Sequence, residues 1–137
     1  MPGDSRILRV LPGAYAICRL DSDQEVPGWA SAAAGEFTSI TRSRDELSII
    51  CPADALPDRT THEKDWHCLR IEGTSGLDEP GVLVSVAGPL ADARISVFAV
   101  ATYDTDYLLV NDIAGAITAL RQAGHRVVSD GGRDVRD

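Results

Sequence analysis

Apolar runs in this chain are short, rich in β-branched and aromatic residues, and separated by clusters of turn-formers. The clearest case is Val97-Phe98-Ala99-Val100-Ala101, then Thr102-Tyr103-Asp104-Thr105-Asp106, then Tyr107-Leu108-Leu109-Val110. Two strand-like runs flanking polar residues predict a β-hairpin, with Asp104 and Thr105 able to bond their own backbone in Asx and ST turns. Neither strand has a clean polar face. Phe98 and Val100 point one way while Val97, Ala99 and Ala101 point the other, so both faces of this hairpin are expected to be covered.

Upstream, Arg6–Val10 and Tyr15–Leu20 are strand candidates around Leu11-Pro12-Gly13. Pro27 suits the first turn of a short helix through Trp29, Ala30 and the alanines up to Ala34, stopped by Gly35, because the amide that proline lacks would be unpaired there anyway. Phe37–Thr41 and Leu47–Cys51 predict a second hairpin, whereas Pro57 interrupts whatever follows. A second passage then begins. Trp66–Glu72 reads as a strand, Gly73–Glu79 as a loop, Pro80–Ala93 as a helix despite Pro89, and then comes the hairpin described above. Ile113, Ile117 and Leu120 recur at helical spacing in a helix over Ile113–Ala123, with Gly124 as its left-handed cap and His125–Val128 as a last strand. The two passages align weakly: Arg19-Leu20-Asp21 with Arg70-Ile71-Glu72, Pro27-Gly28 with Pro80-Gly81, and Asp45–Ile50 with Thr105–Val110. The first passage lacks a closing strand of its own, and Arg6–Val10 is the candidate to fill that slot.

The residues Ile95-Ser96-x-Phe98-Ala99-x-x-Thr102-Tyr103-Asp104-Thr105-Asp106-Tyr107-x-Leu109-Val110, followed by a helix and Gly124-His125-x-Val127, resemble the ACT-domain family. More narrowly, the chain is similar to small stand-alone bacterial ACT-pair proteins related to the regulatory region of aspartate kinases and to cytosolic arginine sensors. The likeness is strong from Trp66 to Val128 and weaker before it. It implies an α+β, ferredoxin-like βαββαβ fold in tandem ACT-like subdomains with antiparallel sheets. The expected division is residues 1–61 as a degenerate N-terminal subdomain, 62–130 as an ACT domain, and 131–137 as a frayed tail. In such a unit both helices cover one sheet face, which leaves the other face or the edges to pair with another copy. A homodimer with closed two-fold symmetry is the expected assembly.

Composition narrows the function classes further. The chain has 137 residues, 44% of them hydrophobic, a net charge of −8 and three cysteines. That length can bury a core. The acidic balance opposes a phosphate backbone, so nucleic acid is not an expected partner. No apolar run nears the ~20 residues of a membrane helix and Met1–Val10 lacks the long apolar stretch and cleavage site of a secretory signal, so a cytoplasmic protein without a membrane partner is expected. Cys18, Cys51 and Cys68 lie in apolar runs with no CxxC, as free buried thiols do.

The sequence holds no GxSxG, GxxxxGK or HExxH, and no nucleophile beside a base, so no enzymatic activity and no cofactor are expected. His62, His67 and Cys68 are close in sequence, but strand alternation sends His67 and Cys68 to opposite faces, and no metal site is expected. The stronger constellation is Ser75, Gly76, Leu77 and Asp78 running into Pro80, Gly81 and Val82. Glycines admit a close backbone approach, and unpaired amides at a helix start suit a carboxylate. The family resemblance implies that such a loop binds an amino acid or similar small molecule at a subdomain or subunit interface. Thr102, Tyr103, Asp104, Thr105 and Asp106 at the hairpin tip complete the candidate set, one aspartate accepting the ligand's ammonium or cationic side chain. The expected role is thus a regulatory, non-catalytic amino-acid sensor. The alternative is an interaction module with a vestigial ligand site.

Overall fold

A computed structural model describes residues 5–33, 35–57, 62–73, 81–129 and 133. In chain order the elements are β1 (Ile7–Val10), β2 (Tyr15–Leu20), α1 (Gly28–Ser31), β3 (Ser39–Arg42), β4 (Leu47–Pro52), a 3₁₀ turn (Ala53–Ala55), β5 (His62–Glu72), α2 (Val82–Asp92), β6 (Val97–Ala101), β7 (Asp106–Val110), α3 (Ile113–Gln122) and β8 (Arg126–Val128). Together they make a mixed α+β fold, organised as two compact units: Gly13–Trp66, and Met1–Pro12 with His67–Asp137.

In the first unit β2 pairs antiparallel with β4, and β4 with β3. The β3–β4 turn is closed by Ser43, whose Oγ accepts from the amides of Asp45 at 3.2 Å and Glu46 at 3.3 Å. The slot left open on β2 is filled by the first half of β5, with Tyr15 opposite Trp66 and Cys18 opposite His62. This corrects the expectation that Arg6–Val10 would close the first unit. A strand beginning at His62 instead of Trp66 is long enough to serve there and still run on to Glu72. Cys18, Leu47, Ile49 and Cys51 form the unit's core with Ala30 of α1, all of them buried.

In the second unit the sheet order is β6-β7-β5-β1-β8. β1 lies between β5, to which it is antiparallel, and β8, to which it is parallel. Helices α2 and α3 cover one face, and the register explains which residues they cover. Leu8, Ile71 and Val127 stand abreast, as do Leu69 and Leu108, and these pack against Val86, Leu90, Ala116 and Leu120. Leu8, Leu69, Leu90, Leu108 and Leu120 are fully buried; each such leucine contributes ~1.5–3 kcal/mol.

Both helices of this unit end in the Schellman arrangement. In α3 the amides of Gly124 and His125 donate to the carbonyls of Arg121 and Leu120, at 3.0 Å each, with Gly124 at φ 95°. In α2 the amides of Arg94 and Ile95 donate to Ala91 at 2.9 Å and Leu90 at 3.0 Å. There the left-handed position is held by Arg94, at φ 62°, and not by glycine. The α3 start is capped by Asp112, whose carboxylate accepts from the Gly115 amide at 2.9 Å.

The expectation of two covered faces holds for β7, where Leu108, Leu109 and Val110 are fully buried. It does not hold for β6 in the single chain, where Phe98 is 45% exposed and Ala99 and Ala101 are exposed. The reason is position: among the described residues β6 pairs only with β7 and so forms the sheet edge.

Candidate functional site

The ladder of β5 against β7 runs from His67 opposite Val110 to Arg70 opposite Tyr107. Continued for two residues, it sets the end of β5, Glu72, beside the hairpin tip at Thr105. The chain leaves β5 at Gly73, in a left-handed turn at φ 71°, and re-enters described structure at Gly81, the residue before α2, at φ 82°. Sheet topology therefore brings the exit from β5 to the same end of the unit as the hairpin tip. Ser75, Gly76, Leu77, Asp78 and Pro80 lie outside the described residues.

The start of α2 differs from that of α3 in a way that matters chemically. Among the described residues no side chain caps it. A helix start without a cap presents amides with a partial positive charge, the complement of a carboxylate. Gly81 is needed for its backbone and not for room, since a Cβ added there would meet nothing within 4 Å while φ 82° is strained for any other residue. The Val82 side chain is 3% exposed and packs into the helix–sheet core, so it is the backbone of Val82 that opens α2. Leu83 and Val84 next to it are exposed, 37% and 72%.

At the hairpin tip Thr102 closes the turn onto Thr105. The Thr102 hydroxyl donates to the Thr105 carbonyl at 3.0 Å and accepts the Thr105 amide at 3.2 Å, while the Thr102 amide donates to that same carbonyl at 2.8 Å. Thr105 is buried, Tyr103 is 79% exposed, and Asp104 is exposed. Asp106 is the first residue of β7, opposite Ala101 and half-buried. Asp104 and Asp106 make this threonine-held turn acidic.

One residue behind this site escapes a reading of the sequence. His125 is 7% exposed; its Nδ1 accepts the Arg6 amide at 2.9 Å, and its Nε2 lies 2.8 Å from the Ser85 carbonyl. An amide can only donate and a carbonyl only accept, so the ring is neutral with its proton on Nε2. The signal that points to it is Pro89, whose ring nitrogen has no proton for the carbonyl four residues earlier.

Elsewhere, Glu72 bridges two arginines, with Arg9 Nε 3.2 Å from one carboxylate oxygen and Arg70 Nε 3.2 Å from the other. Cys18, Cys51 and Cys68 are buried thiols that form no disulfide. Burial pushes the Cys18 thiol up to about 11, with Cys51 adding to the shift, and burial also raises Cys51. Such thiols are poor nucleophiles. Among the described residues, no group of three or more His, Cys, Asp or Glu side chains could hold a metal ion, and no helix is long and apolar enough to cross a membrane.

Comparison with known proteins places these features in a family. A sequence model of the ACT domain matches residues 61–122, and one of an N-terminal domain matches residues 13–59. The chain is 37% identical over 73 residues to the "Cytosolic arginine sensor for mTORC1 subunit 1" of Homo sapiens, covering 52% of this chain and 22% of that protein. For the Mus musculus protein of the same name the figures are 36% over 99 residues, 71% and 29%. The chain thus spans less than a third of the length of these relatives. Among solved structures, a protein of Agobacterium tumefaciens is 36% identical, with a TM-score of 0.85 over 96% of this chain and 98% of that one. The regulatory subunit of aspartate kinase from Thermus thermophilus shares the fold at 15% identity, with a TM-score of 0.57 over 83% of this chain and 94% of that one. This chain belongs to the ACT-domain family.

Proposed function

We propose that the protein is a non-catalytic regulator that binds an amino acid or similar small molecule at the end of the second unit where β5, α2 and the β6–β7 hairpin meet. The α-carboxylate is held by Ser75, Gly76, Leu77, Asp78, Pro80, Gly81 and the amides that open α2. Asp104 or Asp106, on the turn of Thr102, Tyr103 and Thr105, accepts the ammonium or a cationic side chain. The observation that carries this reading is the convergence of a helix start with no side-chain cap among the described residues and an acidic, threonine-locked turn on one end of one sheet. Opposite partial charges at that end complement a zwitterion. Likeness to proteins named as arginine sensors makes arginine the first ligand to test, and an acidic turn suits its guanidinium. The apolar, half-exposed edge strand β6 supports assembly as a two-fold homodimer. The likeness to a cytosolic sensor supports a cytoplasmic location.

The experiment is calorimetric titration with each amino acid, arginine first, on the native protein and on Asp104→Ala and Asp106→Ala. A charged hydrogen bond contributes ~1.5–3 kcal/mol, so removing the accepting carboxylate should weaken binding about tenfold or more. The rival reading is an interaction module with a vestigial site, which the exposed Phe98 and Val84 favour. It predicts a firm dimer whose stability no amino acid changes.

A further inference from the structure

An α-helix satisfies each carbonyl with the amide four residues on. For Ser85 that amide would belong to Pro89, which lies inside α2 and has none. A buried carbonyl without a donor costs about as much as a lost hydrogen bond. In this fold the missing donor comes from elsewhere. His125, placed by the Schellman turn that ends α3, directs Nε2–H at the Ser85 carbonyl across 2.8 Å. Its Nδ1 takes the Arg6 amide at 2.9 Å, one residue before β1 begins.

Ser85 is itself the clasp of the first α2 turn. Its amide donates to the Gly81 carbonyl at 3.0 Å, and its hydroxyl to the Val82 carbonyl at 2.6 Å. The line Arg6–His125–Ser85–Gly81 thus runs from the strand inserted between β5 and β8 to the residue that opens the candidate ligand cradle. Nothing in a simple βαββαβ unit requires that link. It is made necessary by one proline and possible by one histidine.

We propose that His125 is a positioning residue for the candidate site: it supplies the donor that Pro89 lacks, and so holds the first turn of α2 and the entry to β1 in one arrangement. As a consequence, ligand at the α2 start and order in the N-terminal strand are coupled. This second step rests on the function proposed above, whereas the latch itself does not.

The test is a double-mutant cycle read by amide hydrogen exchange on the full chain. His125→Phe keeps a ring of similar bulk and removes both bonds. Pro89→Ala gives α2 an amide of its own for the Ser85 carbonyl. With Pro89 in place, His125→Phe should speed exchange at Ser85 and Val86 about tenfold, the effect of one lost buried bond. Combined with Pro89→Ala, the same change should leave those two amides within about twofold. The Arg6 amide should lose protection in both backgrounds, since an amide at position 89 cannot replace its acceptor. An equal effect on α2 in both backgrounds would overturn the proposal, and so would an Arg6 amide that stays protected.

If His125→Phe does not fold, nitrogen NMR of the wild-type ring decides the matter. A proton on Nε2 with Nδ1 accepting is required, and a ring protonated on Nδ1 overturns the latch. Arginine titration of the same four proteins tests the coupling. Affinity should fall with His125→Phe and recover at least in part with Pro89→Ala; affinity indifferent to His125 overturns the coupling. A wild type that binds no amino acid counts against the proposed function alone, and the exchange cycle still judges the latch.

Discussion

Replacing Thr102 by alanine separates the residue that builds the hairpin tip from those that decorate it. The Thr102 hydroxyl makes two bonds to Thr105, one as donor at 3.0 Å and one as acceptor at 3.2 Å, in a part-buried turn whose far residue is 6% exposed. A neutral intramolecular hydrogen bond contributes ~0.5–1.5 kcal/mol net, and the backbone bond from the Thr102 amide to the Thr105 carbonyl survives the change. Thr102→Ala should therefore lose about 1–2 kcal/mol, while Thr102→Ser, which keeps the hydroxyl, should lose under ~0.5 kcal/mol. Urea unfolding measures both, and an unchanged slope with a lower midpoint identifies a loss of native stability. The reasoning is refuted if Ser and Ala at position 102 behave alike.

Three further outcomes follow from local geometry. Arg94→Gly should stabilise the protein by ~0.5–1 kcal/mol: an L-residue in the left-handed region costs ~1–2 kcal/mol, and the greater freedom of glycine in the unfolded chain returns part of that, as thermal unfolding would show. Gly115→Ala should destabilise the protein despite alanine's helix propensity, because its Cβ would collide with the capping carboxylate of Asp112, and the Asp112 cap itself is worth ~1 kcal/mol by chemical denaturation of Asp112→Ala. Cys18 and Cys51 should resist thiol reagents at neutral pH until urea is added. Because the folded Cys18 thiol titrates near 11, above its ordinary value of 9.0, its contribution to stability is complete below pH 9 and is lost as pH rises through 11, which pH-dependent urea midpoints would reveal.

Most of the second unit was legible in the sequence because each element carries its own punctuation. The 3.6-residue spacing of Ile113, Ile117 and Leu120 and the glycine after them delimit α3, and the polar quartet between two apolar runs delimits the β6–β7 hairpin. What was not legible depends on partners distant in sequence. Nothing local says that Ile7–Val10 pairs with residues 69–72 and 126–128 and not with the N-terminal unit, or that one eleven-residue strand, with its fourth residue Asp65 in the left-handed region, pairs with β2 in its first half and with β1 and β7 in its second. The end of α2 is read within a residue of Ala93, although the left-handed position after it is Arg94 and not glycine. In the candidate site, the sequence pointed to Asp104 and Thr105 as turn-formers and did not single out Thr102, whose hydroxyl makes two bonds to Thr105. The Val82 side chain follows the i, i+4, i+8 stripe of Val86 and Leu90 into the core, so only its backbone is available to the cradle. Pro89 did announce a free carbonyl at Ser85, but the donor stands 40 residues away in His125.

The central claim is that one end of the second unit binds an amino acid, and backbone-amide NMR of labelled protein titrated with arginine, and then with the remaining amino acids, tests it most directly. The account predicts saturable shifts concentrated at Gly73, Gly81–Val84 and Thr102–Asp106. Spectra that no amino acid changes, or shifts that leave those residues untouched, would contradict it.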